Sequence, residues 1–160
     1  MSQPIELDSV DRKILRALQK NARVTNKELA EISGVAASTC LSRVKRLRET
    51  GVIQGFSAVV DEEKLGRPVE AFLAVRMNPH RQALVEPFIR HTLMRPEVRE
   101  ICHLTGPDDF LVRVSAESVG ALQTLVLEHF AARNEVAFVH TNLIFQKWRG
   151  GPADPAAPGA

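Results

Sequence analysis

The segment from Thr25 to Ile53, TNKELAEISGVAASTCLSRVKRLRETGVI, leaves its part of the chain few ways to fold. Thr25 followed three residues later by Glu28 is a capping box that opens a helix. Leu29 and Ile32 give that helix one apolar face, and Ala30 is small enough for a partner helix to cross closely. Ser33-Gly34-Val35 then breaks it, because Gly34 can take the positive φ that a sharp helix–helix turn requires. A second helix follows from about Ala37 to Thr50 and stops at Gly51.

The two sides of that second helix differ in chemistry. Val35, Cys40, Val44 and Leu47 form an apolar stripe suited to a core. Ser38, Thr39, Ser42, Arg43 and Arg46 fall mostly on the other side, short hydroxyls first and cations further along with Lys45 and Arg48. A helix that reads duplex DNA is built this way. Its first turns reach base edges in the major groove and its basic residues hold phosphates. A charge run alone is commonly a solvated face. Coincidence with a capped helix and a glycine turn moves the balance to DNA binding.

Charge is placed unevenly along the 160 residues. Residues 1–55 carry ten Lys/Arg against six Asp/Glu, and the remainder carries eleven against thirteen. A basic N-terminal part on a mildly acidic remainder suits a nucleic-acid module joined to a domain with another task. Cys40 and Cys102 are far apart, with neither metal-ligand spacing nor a disulfide framework. No N-terminal apolar run or stretch of about 18 apolar residues suggests secretion or a membrane span, so the expected location is cytoplasmic and no membrane partner is expected; DNA binding adds the expectation of nucleoid association.

Before the central segment, residues 1–6 read as a short polar arm. Asp8 with Asp11 marks a helix start, and Leu7, Val10, Ile14, Leu15 and Leu18 follow at helical spacing. Three helices with three apolar stripes can close a core that two cannot. Arg23, in the connection after the first helix, is equally suited to a phosphate or to solvent. After Gly51, residues 52–60 are rich in β-formers and predict a strand. Residues 61–68, polar and ending in Gly66-Arg67-Pro68, are the expected hinge. The anticipated division is 1–55 for DNA, 56–68 for strand and linker, 69–149 for sensing and oligomerisation, and 150–160 for a disordered tail.

The second domain alternates clearly. Strands are predicted at 69–77, 98–104, 110–115 and 136–148, and helices at 81–94 and 118–133. Thr105-Gly106-Pro107-Asp108-Asp109 links the middle strands as a hairpin. The expected fold class is α+β: a trihelical helix-turn-helix domain followed by a βαββαβ ferredoxin-like sandwich. One sheet face would be covered by helices. The other keeps Phe, Leu and Val positions and argues for a homodimer or higher assembly.

Taken together, LDSVDRKILRAL, GVAASTCLSRVKRLRETGVIQGFSA and a βαββαβ domain holding CHLTGPDDFLVRV resemble the leucine-responsive/asparagine-type (Lrp/AsnC) family of transcription regulators. The resemblance spans about residues 6–149, and the order and spacing of several motifs carry it. It implies operator binding through the helix-turn-helix, an amino acid or related metabolite bound in the C-terminal domain, and dimers that associate further, often to octamers.

The DNA-contacting candidates are Thr25, Lys27, Ser38, Thr39, Ser42, Arg43, Lys45 and Arg46. Of these, the resemblance assigns Ser38, Thr39, Ser42 and Arg43 to base reading and Arg46 to phosphate. The effector-binding candidates are His103, Thr105, Gly106, Asp108, Asp109, Thr141 and Asn142. Gly106, Asp109 and Phe110 keep the family's effector turn, whereas Asp108 stands where an aromatic ring is common. That carboxylate favours an effector with a cationic side chain, or else weakens amino-acid binding. Ordinary turn chemistry also accounts for Asp108 and Asp109. Ala36 departs too, where a hydroxyl normally caps the recognition helix; its loss forgoes about 1 kcal/mol.

His80, His91, His103, His129 and His140 share no metal-ligand spacing, and no nucleophile elbow or phosphate loop is present. No cofactor and no enzymatic activity are expected. Two other readings stay open: a tetrapyrrole-modifying enzyme subunit on the same fold, and an effector-independent DNA-organising protein.

Overall fold

The computed structural model describes residues 5–78, 82–148 and 150–151. The polar arm before Ile5, His80, the expected helix start at Arg81, Arg149 and residues 152–160 lie outside the described residues. The chain divides into a helical unit reaching Ala58 and a sheet unit from Val59 to Lys147.

The helical unit contains α1 (Ser9–Lys20), α2 (Asn26–Ser33) and α3 (Ala37–Glu49). Capping boxes open the first two: Asp8 with Asp11, and Thr25 with Glu28. Each satisfies backbone N–H groups that the first helical turn cannot pair internally. Gly34 ends α2 at φ 74°, in the left-handed region, and its N–H donates to the Ala30 carbonyl at 2.9 Å. Ile14, Leu15, Leu29, Ala30, Cys40 and Leu47 form the core, with Leu7, Val10, Leu18, Val35 and Val44 packed around it. The α2 face differs from the expectation in one residue. Ile32 is 54% exposed, and Ser33 is buried in its place, its hydroxyl donating to the Leu29 carbonyl at 2.6 Å. That bond lets a polar residue occupy a core position.

The sheet unit has the predicted order: β1 (Val69–Met77), α4 (Gln82–Leu93), β2 (Val98–His103), β3 (Phe110–Ala116), α5 (Val119–Val126) and β4 (Val136–Leu143). The strands form one antiparallel sheet in the order β2-β3-β1-β4. Ala71, Leu73, Val75 and Met77 on β1, with Phe110, Val112 and Val114 on β3, face α4 and α5 and build the second core. Phe88 anchors it, its ring 4.9 Å from Phe110 and 6.3 Å from Phe130. A π-helical turn, Leu127–Ala131, extends α5 and carries buried Phe130 into that core.

Three boundaries differ from the expectations. Residues 52–60 are not a strand: they have no ladder partner among the described residues, and Phe56, Val59 and Val60 are exposed. β-forming composition needs a neighbouring edge to become a strand. The last strand stops at Leu143 rather than Trp148, because its partner β1 begins at Val69, just after Pro68. Residues 61–68, expected as the hinge, are fastened to the sheet. Arg99 donates to Glu62 at 2.7 Å and the Ser115 hydroxyl does so at 3.1 Å. Arg67 donates to the carbonyls of Pro96 and Ser115.

The open sheet face also differs from the expected apolar surface. Phe72, Ala74, Leu111 and Phe138 share it with Glu70, Arg113, Glu100 and His140, as the strand registers dictate. Arg113 pairs with Glu70 at 3.3 Å, and Lys147 pairs with the same carboxylate.

The Arg99 guanidinium, then the Ser115 hydroxyl, hold the Glu62 carboxyl below its ordinary range against the opposing effect of burial. A depressed carboxylate adds stability that is present above its unfolded pKa and lost as pH falls through the folded value. Glu62→Gln should therefore lower the urea midpoint at pH 7 and narrow the gap to wild type near pH 3. Parallel loss at both pH values would contradict this anchoring role.

Candidate nucleic-acid interface and ligand-sensing region

Helix α3 carries most of the DNA-contacting candidates. Cys40 and Leu47 fix its inner side in the core, and Ser38, Thr39, Ser42 and Lys45 point to solvent. Thr25 and Lys27 are exposed at the start of α2. Thr25 is also committed to capping, its hydroxyl accepting from the Glu28 N–H at 3.3 Å. The Asn26 side chain donates to the Ala37 carbonyl at 2.9 Å, tying the beginnings of α2 and α3 together. Ala36 makes no side-chain cap, as its sequence implies, and the Asn26 bond supplies a different restraint on the start of α3.

Arg43 and Arg46 turn toward α1 instead of standing free. Arg43 donates to Asp8 at 2.5 Å and to Asp11 at 3.1 Å, and Arg46 donates to the second Asp11 oxygen at 2.5 Å. The Asp11 side chain is 1% exposed, whereas those of Arg43 and Arg46 keep 27% and 45% exposure. Asp11 thus has two duties. It closes the α1 capping box, its N–H donating to Asp8 at 2.8 Å and its carboxylate accepting from the Asp8 N–H at 3.2 Å. It also accepts from two guanidinium groups on α3. The Asp11 amide, then Arg43, hold the Asp8 carboxyl below the usual range, and the two carboxylates raise the Arg43 pKa.

An open groove of about 1270 Å³ runs beside this cluster, between residues 5–9 and the Thr39, Ser42, Arg43 and Arg46 side of α3. It is lined by both signs of charge. In the sequence Asp8 and Asp11 read only as caps, and their reach to residues more than thirty positions away has no local signal.

The effector candidates separate into three places. His103, Thr105, Gly106, Asp108 and Asp109 lie at the β2–β3 hairpin end. His103, exposed, stacks on buried Phe110 with ring centroids 4.6 Å apart. Thr105 and Gly106 are exposed and Asp108 is half-buried. Asp109 is built into the fold: its carboxylate accepts from the Met77 N–H at 2.7 Å, and its own N–H donates to the Val75 carbonyl at 3.0 Å. The β1–β4 register shifts between Arg76 and Met77, so Asp109 satisfies a backbone donor at a ladder irregularity.

Thr141 faces the helices and lines a hollow of about 320 Å³ with Val119, Leu122, Val126 and Leu143. Its volume suits a small ligand and its lining is mostly apolar. Asn142 falls on the opposite sheet face, paired with Phe72. Consecutive strand residues alternate in direction, so one chain cannot place both in one pocket. Among the described residues no cluster of His, Cys, Asp or Glu could hold a metal ion, and no helix is long and apolar enough to cross a membrane.

Comparison with known proteins matches both units. Residues 7–54 match the winged helix-turn-helix DNA-binding family, and residues 70–152 match the Lrp/AsnC ligand binding domain. The chain is 40% identical to the HTH-type transcriptional regulator AldR of Mycolicibacterium smegmatis, over 91% of this chain and 85% of that protein. It is 39% identical to the leucine-responsive regulatory protein of Rhizobium meliloti, over 89% and 92%. A Neisseria meningitidis transcriptional regulator solved as an L-Met complex superposes with TM-score 0.85 at 29% identity, covering 94% of this chain and 97% of that one.

Asp11→Ala should cost the helical unit about 2 kcal/mol, since it strips buried charged hydrogen bonds from two arginines. Asp8→Ala should cost about 1 kcal/mol, the worth of an exposed N-cap. Urea unfolding followed by the helical signal measures both, and a smaller loss for Asp11→Ala would contradict the ranking.

Proposed function

Because the chain belongs to the Lrp/AsnC family of transcription regulators, we propose that it binds a pseudo-palindromic operator as a homodimer and senses an amino acid. DNA-binding regulation, rather than enzymatic activity, is what its relatives perform, and the tetrapyrrole alternative is set aside on that ground. The observation that carries the operator reading is the outward face of α3, where Ser38, Thr39, Ser42 and Lys45 stand exposed on a helix fixed from behind by Cys40 and Leu47.

Residues 1–55 serve as the DNA-binding part, with 56–68 as the connection and 69–149 as the sensing and oligomerising part. Two α3 helices of a dimer enter successive major grooves about 34 Å apart. Ser38, Thr39, Ser42 and Arg43 reach base edges, while Thr25, Lys27, Lys45 and Arg46 hold phosphates. Dimerisation covers the open sheet face, where Phe72, Leu111 and Phe138 offer apolar surface, Phe138 being 47% exposed. Dimers associate further, up to an octamer, and the assembly resides with the nucleoid in the cytoplasm.

The effector is placed in the region of His103, Thr105, Gly106, Asp108, Asp109, Thr141 and Asn142, completed by association of copies. L-Met in the Neisseria meningitidis relative supports an amino acid as its class. The Asp108 carboxylate favours one with a cationic side chain. Binding shifts the arrangement of dimers and biases DNA affinity by about 1–3 kcal/mol, the ordinary range of allosteric coupling.

Selection of bound fragments from random duplex DNA at near-physiological salt tests the reading, and a pseudo-palindromic consensus is the expected result. Binding without consensus would support a DNA-organising role, and no binding would refute regulation through α3. On the selected operator, Lys45→Ala should weaken all duplexes alike and reduce the salt slope by about 0.9 for each phosphate that Lys45 neutralises. Ser42→Ala should change sequence preference and leave the slope intact. An unchanged slope for Lys45→Ala would contradict its assignment.

A further inference from the structure

Leu41 is the one large apolar side chain on the outward side of α3, with 61% of its surface in solvent. The core seam does not need it: Cys40 and Leu47 are fully buried and Val44 is packed beside them. Its neighbours along the surface are Ser38, three residues before, and Lys45, four residues after. Ser38 is exposed, and the Lys45 side chain is 74% exposed. Residues at these spacings share one helix face. A single exposed leucine on an arbitrary surface carries no information. Leu41 stands instead between Ser38, proposed above to meet a base edge, and Lys45, proposed above to hold a phosphate, on a helix where every other outward side chain beyond Ala37 is a hydroxyl or a charge.

Base-pair edges in the major groove offer chiefly hydrogen-bond donors and acceptors, and the thymine C5-methyl is their apolar group. A leucine between a hydroxyl and an ammonium complements that methyl and no other edge feature. Contact would also remove apolar surface from water on both partners. We infer that Leu41 is a specificity-determining residue that selects thymine through its C5-methyl at one position in each operator half-site. This inference rests on the operator-binding reading and adds to it a particular base and a particular side chain.

The test replaces each thymine of the selected operator by uracil, which deletes the methyl and leaves the pairing edge intact. Each substitution is made in both half-sites. Full-length wild type and Leu41→Ala are then titrated against every duplex. One thymine position should weaken wild-type binding about fourfold per half-site, the factor equivalent to the ~0.8 kcal/mol of one buried methyl-sized group. At that position Leu41→Ala should bind the thymine and uracil duplexes equally. Because Leu41 is exposed, the variant should also unfold at the wild-type temperature, which separates lost recognition from lost folding.

A consensus with no such position would overturn the inference and leave the operator reading standing. So would uracil costs that are the same in both proteins, or an operator affinity unchanged in Leu41→Ala, which would assign Leu41 to another surface. Failure to select any consensus would overturn both readings together.

Discussion

The Asp11 carboxylate, buried on α1 and bonded to both Arg43 and Arg46, sets how α3 is presented. A carboxylate removed from water is costly unless it is paired and hydrogen-bonded. Asp11 is paired on both oxygens, and its cap bonds with Asp8 fix its rotamer. The guanidinium groups fixed by it keep part of their surface in solvent. The cations that steady α3 against α1 therefore lie at the edge of its exposed face. On the proposed reading, Arg43 and Arg46 would serve both this fold contact and DNA, so folding and recognition would share one small set of charges. Ser38, Thr39, Ser42 and Lys45 stand exposed on the outward face, where the proposed base reading and salt-dependent affinity could vary without unfolding the unit.

The sheet unit applies the same economy at Asp109. Its carboxylate is taken by the Met77 N–H beside a ladder irregularity. It therefore shapes the hairpin end and orders the turn that holds Asp108 and Gly106. Thr141 lies elsewhere, in an apolar hollow against α5. A ligand site drawing on both places would need the association of copies proposed above. Exposed Phe138 and half-buried Phe72 and Leu111 on the open sheet face, interleaved with Glu70 and Arg113, would give the proposed association both an apolar drive and a charge pattern to fix its register.

Much of this architecture is legible in residue order. The boxes Asp8/Asp11 and Thr25/Glu28, the Gly34 turn and the alternation of β1 are each set by near neighbours, and local rules read them correctly. Pairing at long range is not legible. Asp8 and Asp11 look like caps and nothing in their surroundings announces Arg43 and Arg46. Glu62 looks like linker charge until Arg99 and Ser115 are beside it. Residues 52–60 have strand composition without a strand partner, and the missing neighbour is not a property of the segment. Ile32 escapes the pattern because the buried face of α2 is centred on Leu29, Ala30 and Ser33, and a buried serine gives no apolar signal to mark it. The opposite directions of Thr141 and Asn142 follow from period-two alternation alone.

In the proposed complex α3 enters the major groove at two places one helical turn apart. Methylation interference on the selected operator addresses it directly, because dimethyl sulfate modifies guanine N7 in the major groove and adenine N3 in the minor groove. Guanine methylation should block binding in two patches about 34 Å apart, with adenine methylation inside those patches tolerated. Interference confined to adenines, or a single patch with no symmetry mate, would contradict it.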